Sequence, residues 1–288
     1  MYYDCVSFLL QCLITGVISS MYFNAPQIVH TMGKGEKVRG VTCFDEEVFI
    51  VCNGKAEVQV FDVDTLSLKR RLPVTGLNSA YDLASCAQNS CLYSCNVSGN
   101  CVFKIDIKGN TTSWAANGAA YSLSVSSKSN VLVTCNCPSK ITEFTTDGRL
   151  LRQIPLQQIV PGIYHSVQYS NGQFLVGNET SDKRVYVIDD DGKLVQCYSG
   201  LIGSSAGQIR LLFHFVVDTD GFTAAVDYRN NNVVLLNPSL SYVRELIPAK
   251  KGLPNSPFRI CYNGRRRLIF VVGFDDGLLS VFKGETAN

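Results

Sequence analysis

Along the whole chain, short runs of Val, Ile, Leu, Phe, Tyr and Thr alternate with turn residues, and no stretch carries the 3.6-residue spacing of an amphipathic helix. One run recurs. "VFIVCN" (Val48 to Asn53), "CLYSCN" (Cys91 to Asn96) and "VLVTCN" (Val131 to Asn136) all end in Cys-Asn. Aligning on that ending adds "FLVGN" at Asn178, "TAAVD" at Asp227 and "IFVVGF" at Phe274, at intervals of 40 to 49 residues. That interval is the period of a propeller blade.

Each unit repeats one plan. A first strand ("GVTCF", "DLASC", "SLSVS", "SVQYS", "FVVDT", "RICYN") leads through a polar turn into the recurring run. A third strand follows ("VQVFDV", "VFKIDI", "ITEFTT", "VYVIDD", "VVLLNP", "LLSVFK"), and in five units a weaker fourth. Six such units predict an all-β fold, a six-bladed β-propeller over residues 24–288. The last unit lacks its fourth strand. "PQIVHTM" (Pro26 to Met32), upstream of the first unit, is expected to supply it and close the ring without free edges.

Composition adds limits. At 288 residues and 46% hydrophobic, the chain can bury a sizeable core. A net charge of +2 provides no strong field toward nucleic acid or an anionic membrane. The 12 cysteines show no C-x-x-C pairing of the zinc type. Cys52, Cys95 and Cys135 occupy equivalent positions and are read as compact packing residues. Cys86 and Cys91 face each other across a hairpin turn, close enough to bridge in an oxidising compartment, with free thiols in a reducing one the favoured reading. Residues 1–23 have no place in the ring. Their apolar part (Cys5 to Phe23) reads as a signal, an anchor or an appended segment, and any membrane contact is expected there alone. The flanking "MYYD" lacks the positive charge of a targeting signal, so a cytoplasmic location is favoured over a secreted or anchored one.

The fifth unit carries a motif: Asp218 and Gly221 in an Asp-x-x-Gly turn, a strand ending at Asp227, Asn230 in the next loop, and a valine-rich strand after it. The preceding "GLIGSSAGQ" (Gly200 to Gln208) is glycine-rich and ends in Gln. This resembles the NHL repeat, and "SNGQFLVGN" with "KRVYVIDDDGKLVQ" in unit four resembles it in part. The resemblance implies a propeller like the C-terminal domain of TRIM-NHL proteins, which binds protein or RNA. No RING or B-box cysteine–histidine spacing is present, so ligase chemistry does not carry over.

In a propeller the first strands line the central channel, so their starting ends converge on one face. The aligned row there is Arg39, Tyr81, Tyr121, His165, His214 and Phe258, with Arg259 in the neighbouring row. Aromatic and basic side chains around one mouth suit a peptide or stacked bases. The expected function is therefore a non-catalytic module that binds a protein or peptide at this mouth, with single-stranded RNA as the alternative ligand. A second alternative is a metal-dependent propeller hydrolase or lyase, for which Asp82, His165 and His214 are the available ligands. Two histidines on one row and one distant carboxylate make neither a catalytic set nor a metal site, so no cofactor is expected. The basic triplets Lys69 to Arg71 and Arg265 to Arg267 read as solvated edge and turn charges.

Overall fold

The computed structural model describes residues 24–96, 98–156, 158–169, 172–178, 185–198, 200–205 and 207–285. The segment expected as signal, anchor or appendage lies outside them. Among the described residues, no helix is long and apolar enough to cross a membrane.

Among the described residues, 24 strands form six four-stranded antiparallel sheets. Blade 1 is β2 (Val38–Phe44), β3 (Glu47–Cys52), β4 (Glu57–Asp62) and β5 (Leu68–Pro73). Blade 2 is β6 (Ala80–Cys86), β7 (Cys91–Asn96), β8 (Cys101–Asp106) and β9 (Thr111–Ala115), and blade 3 is β10 (Ala120–Val125), β11 (Val131–Cys135), β12 (Lys140–Phe144) and β13 (Leu150–Pro155). Blade 4 comprises β14 (Ile163–Gln168), β15 (Phe174–Asn178), β16 (Val185–Ile188) and β17 (Leu194–Cys197). Blade 5 comprises β18 (Leu212–Val217), β19 (Thr223–Asp227), β20 (Asn232–Leu236) and β21 (Tyr242–Ile247). Blade 6 takes β22 (Pro257–Asn263), β23 (Leu268–Gly273) and β24 (Leu279–Glu285) from the end of the chain and β1 (Asn24–Met32) from its beginning. The expected six-bladed ring and its closure by the N-terminal strand are both present.

Burial explains the recurring run. Each second strand is covered on both faces by neighbouring blades, so β7, β11, β15, β19 and β23 are buried at every residue. That requires continuous apolar runs instead of alternation. Outer strands such as β5 and β13 bury only one residue in six. Cys52, Cys95 and Cys135 are at most 1% exposed and act as packing residues. Cys86 and Cys91 do pair across their hairpin, as free thiols.

The seam depends on β1. It pairs antiparallel with β24 from Asn24 opposite Glu285 to Met32 opposite Leu279, and Gly252 in the preceding loop packs on Ile28. Without it, β24 is an unpaired edge. A chain lacking residues 24–33 is expected to lose its cooperative thermal transition and to aggregate during gel filtration. A soluble monomer that melts cooperatively would overturn this account of closure.

Candidate functional site in the central channel

The innermost strands share one irregularity that decides what faces the channel. Each has a one-residue bulge near its start: Arg39, Tyr81, Tyr121, Tyr164, Phe213 and Phe258 are skipped by the ladder. A bulge kinks the strand and re-aims a side chain. The structurally equivalent row is therefore these six residues. The next row is Gly40, Asp82, Ser122, His165, His214 and Arg259. The row expected from sequence is corrected in blades 4 and 5. His165 and His214 lie one level deeper than Arg39, Tyr81, Tyr121 and Phe258, and Tyr164 and Phe213 take the places assigned to them. A signal existed in the sequence: five blades carry an aromatic followed by a polar residue, as Tyr81-Asp82, Tyr121-Ser122, Tyr164-His165, Phe213-His214 and Phe258-Arg259.

The upper level closes the near mouth, where the innermost strands begin. Tyr81, Tyr121, Tyr164, Phe213 and Phe258 form a complete ring of mostly edge-to-face contacts, with centroid separations of 5.7, 5.8, 4.4, 6.2 and 6.4 Å in order around the circle. Such pairs add about 0.5–1.5 kcal/mol each beyond area burial. Arg39 lies over Phe274, its guanidinium 4.5 Å from the ring centre, and donates to the Phe274 carbonyl.

Beneath the ring sits Arg259, 1% exposed. Its guanidinium spans the channel. It donates to the carbonyls of Tyr121 at 2.8 Å and Tyr81 at 3.2 Å, and its Nε lies 3.0 Å from Asp82 Oδ1 in an ion pair too far off line for a hydrogen bond. Three aromatic faces, Tyr81, Phe213 and Phe258, surround it within 6 Å. Asp82 also accepts the backbone N–H groups of Leu83 and Leu123, both at 2.9 Å. Burial alone would raise the Asp82 carboxyl. The Arg259 charge and then His214 outweigh it and hold the group below the ordinary carboxylate range.

The two histidines complete this level, stacked with centroids 3.7 Å apart. His165 Nε2 lies 3.1 Å from the Phe215 carbonyl, which only a donor satisfies, so this nitrogen carries the proton. Nδ1 is then the acceptor for the Ser122 hydroxyl. His214 is different. Neither ring nitrogen has a hydrogen-bond partner, and its Nε2 stands 3.8 Å from Asp82 Oδ2. Burial depresses both imidazoles, His165 well below the ordinary value with His214 adding to the effect. Gly40 fits the same level because a Cβ there would lie 2.7 Å from the Leu83 nitrogen.

A cavity of about 280 Å³ begins at His165 and His214 and runs to the far ends of the innermost strands. Half-buried Cys43, Ser85, Val125, Val167, Val217 and Tyr262 line that end, so the channel opens on the far face. A larger groove of about 420 Å³ lies between blades 3 and 4, where Arg152 is paired with both Glu143 and Asp190. The basic triplets are also engaged: Lys69 and Arg70 with Glu47, Arg71 with Glu57, and Arg266 with Asp64 and Glu46.

Ligand atoms of Asp82, His165 and His214 lie within 4.8 Å of one another, which is metal-cluster spacing. The donor set does not fit a cation. Arg259 already neutralises Asp82 and would sit beside any added positive charge, and both His165 nitrogens are engaged.

No family profile matches the sequence, and no curated protein matches it. Solved structures do share the fold. Virginiamycin B lyase from Staphylococcus aureus superposes with a TM-score of 0.64 at 14% identity, covering 90% of this chain and 98% of that one. A gluconolactonase from Xanthomonas campestris gives 0.68 at 12% identity, covering 91% and 95%. The β-propeller domain of Cps50 (Swd1) from Myceliophteria thermophila gives 0.63 at 14%, covering 90% and 100%.

These findings correct the expectation of a non-catalytic module that binds a protein or peptide through the near mouth. That mouth is sealed by its own aromatic ring, structures of the same fold include a lyase and a gluconolactonase, and the channel holds a buried Asp–His–His cluster. The RNA alternative rested on the same row and gains no support from it.

Two tests follow from this geometry. Arg259→Met leaves Asp82 buried and unpaired and is expected to cost about 3–5 kcal/mol in chemical denaturation. Adding Asp82→Asn to it should recover part of that loss, whereas strict additivity would show that the pair does not couple. For pH, the unfolded chain protonates histidine below about 6.5 while the fold keeps His165 and His214 neutral, so the unfolded state binds more protons. Stability should thus fall as pH drops from about 6.5 toward 5, by at most roughly 1.4 kcal/mol per pH unit from a histidine that stays neutral throughout. Asp82, depressed in the fold, acts in a lower window and loses its contribution below about pH 4. Denaturation midpoints that stay flat from pH 7 to 5 would contradict the neutral pair.

The comparisons establish the architecture alone: this chain is a six-bladed β-propeller, similar in fold to lyases, to a gluconolactonase and to the β-propeller domain of Cps50 (Swd1).

Proposed function

We propose that the far half of the channel is an acid–base active site of the hydrolase or lyase class that works without a metal ion on a small, neutral substrate. One observation carries the proposal: the His214 imidazole is buried at the closed end of an open cavity with neither nitrogen hydrogen-bonded, and a carboxylate stands 3.8 Å from its Nε2. An unpartnered buried imidazole costs stability, and such costs concentrate at sites that act on ligands.

The surroundings suit a general base. Burial keeps His214 neutral, ready to accept a proton from water or from a carbon acid. The imidazolium then forms 3.8 Å from the Asp82 carboxylate, which favours the charge. Asp82 cannot swing away, because Arg259 and two backbone N–H groups hold it. His165 stacks on the ring and fixes its plane. A volume of about 280 Å³ admits a ligand about the size of a monosaccharide lactone. Shared fold with a gluconolactonase and with lyases makes lactones and other β-eliminable or hydrolysable esters the first class to test.

The experiment is a panel of aliphatic and sugar lactones and small esters, assayed with purified full-length protein and with His214→Gln. Turnover is expected to fall about 100-fold or more in the variant. A chelator should leave wild-type turnover unchanged. Activity that survives in His214→Gln would overturn the assignment of the base, and activity abolished by chelation would overturn the metal-free reading.

A further inference from the structure

The same cavity wall carries a feature that acid–base chemistry does not use. Cys43 on β2 and Cys261 on β22 bring their sulfur atoms to 3.3 Å, although 218 residues separate them. They belong to the first and last blades, on either side of the seam where the chain closes on itself. Cys43 is half-buried at the far mouth, and Cys261 is buried behind it at 9% exposure. Both line the cavity.

Other cysteines lack this combination. Cys86 and Cys91 face each other but are 3% and 1% exposed, out of reach of a dissolved oxidant. Cys137 is exposed, and Cys101 and Cys197 are half-buried. Among the described residues, the Cys43–Cys261 pair joins an accessible sulfur to a second sulfur already in van der Waals contact.

We propose that Cys43 and Cys261 are a thiol–disulfide site that reacts with a low-molecular-weight disulfide such as oxidised glutathione and cross-links blade 1 to blade 6. The Cys43 thiolate attacks one sulfur of the oxidant, forming a mixed disulfide and releasing one glutathione thiolate, which takes up a proton. Cys261 gives its proton to solvent and attacks the Cys43 sulfur, releasing the second glutathione. Two protein thiols are oxidised, and one disulfide is reduced to two thiols. Cys261 is the resolving partner because its contact with Cys43, together with burial, pushes its thiol well above the ordinary range. The site is independent of the reading of His214.

The test uses full-length protein incubated with oxidised glutathione, then alkylated, digested and mapped by mass spectrometry. A linked Cys43–Cys261 peptide is expected, reversible by dithiothreitol, with a higher thermal midpoint for the linked form. C261S should stop at a glutathione adduct on Cys43, and C43S should give neither adduct nor link at Cys261. The proposal is overturned if Cys43 and Cys261 both stay alkylatable under oxidant, if Cys86–Cys91 is the sole linked pair, or if C261S accumulates no adduct on Cys43.

Discussion

A single buried ion pair organises the centre of the molecule. Arg259 comes from blade 6 and Asp82 from blade 2, and the guanidinium also holds carbonyls of blades 2 and 3. A charge in this position is tolerated only because the carboxylate, two carbonyls and three aromatic faces replace its water. One side chain thus ties together blades that are not adjacent. The aromatic ring above depends on it for its floor. The histidine pair below depends on it for a carboxylate that stays ionised and fixed.

Charge and closure divide the channel into unlike halves. Toward the near face it is filled by aromatic rings and a cation, with no room for a ligand. Toward the far face it is open, lined by hydroxyls, aliphatic side chains and two thiols. His214 stands at the boundary. Its neutral ring borders a permanent cation and a permanent anion that cancel, so a proton arriving there changes the local charge by a whole unit in a region of low dielectric.

The fold was legible because blade burial imposes continuous apolar runs at one interval, and because a missing last strand demanded a partner at the other end of the chain. The site was legible only by half. Arg39, Tyr81, Tyr121 and Phe258 fell in the correct row, and Asp82 and Arg259 in the row beneath. His165 and His214 were placed a level too high, since the span from first to second strand differs between blades while all six carry the same bulge. Aligning on the second strands also put Asn53 and Asn136 level with Asn96, whereas the ladder places Cys52 and Cys135 there. A one-residue slip of register exchanges an aromatic lid for an imidazole. The aromatic–polar dipeptide repeated in five blades was the better ruler.

The strand pairing of β1 with β24 also sets an order of events. Until Leu279–Glu285 has left the ribosome, Asn24–Met32 has no partner, and blade 6 does not exist. Five blades can therefore assemble during synthesis, while the Arg259–Asp82 tie and the contact between Cys43 and Cys261 form only at the last step. Completion of the channel is thus coupled to the pairing of two strands that lie far apart in the chain.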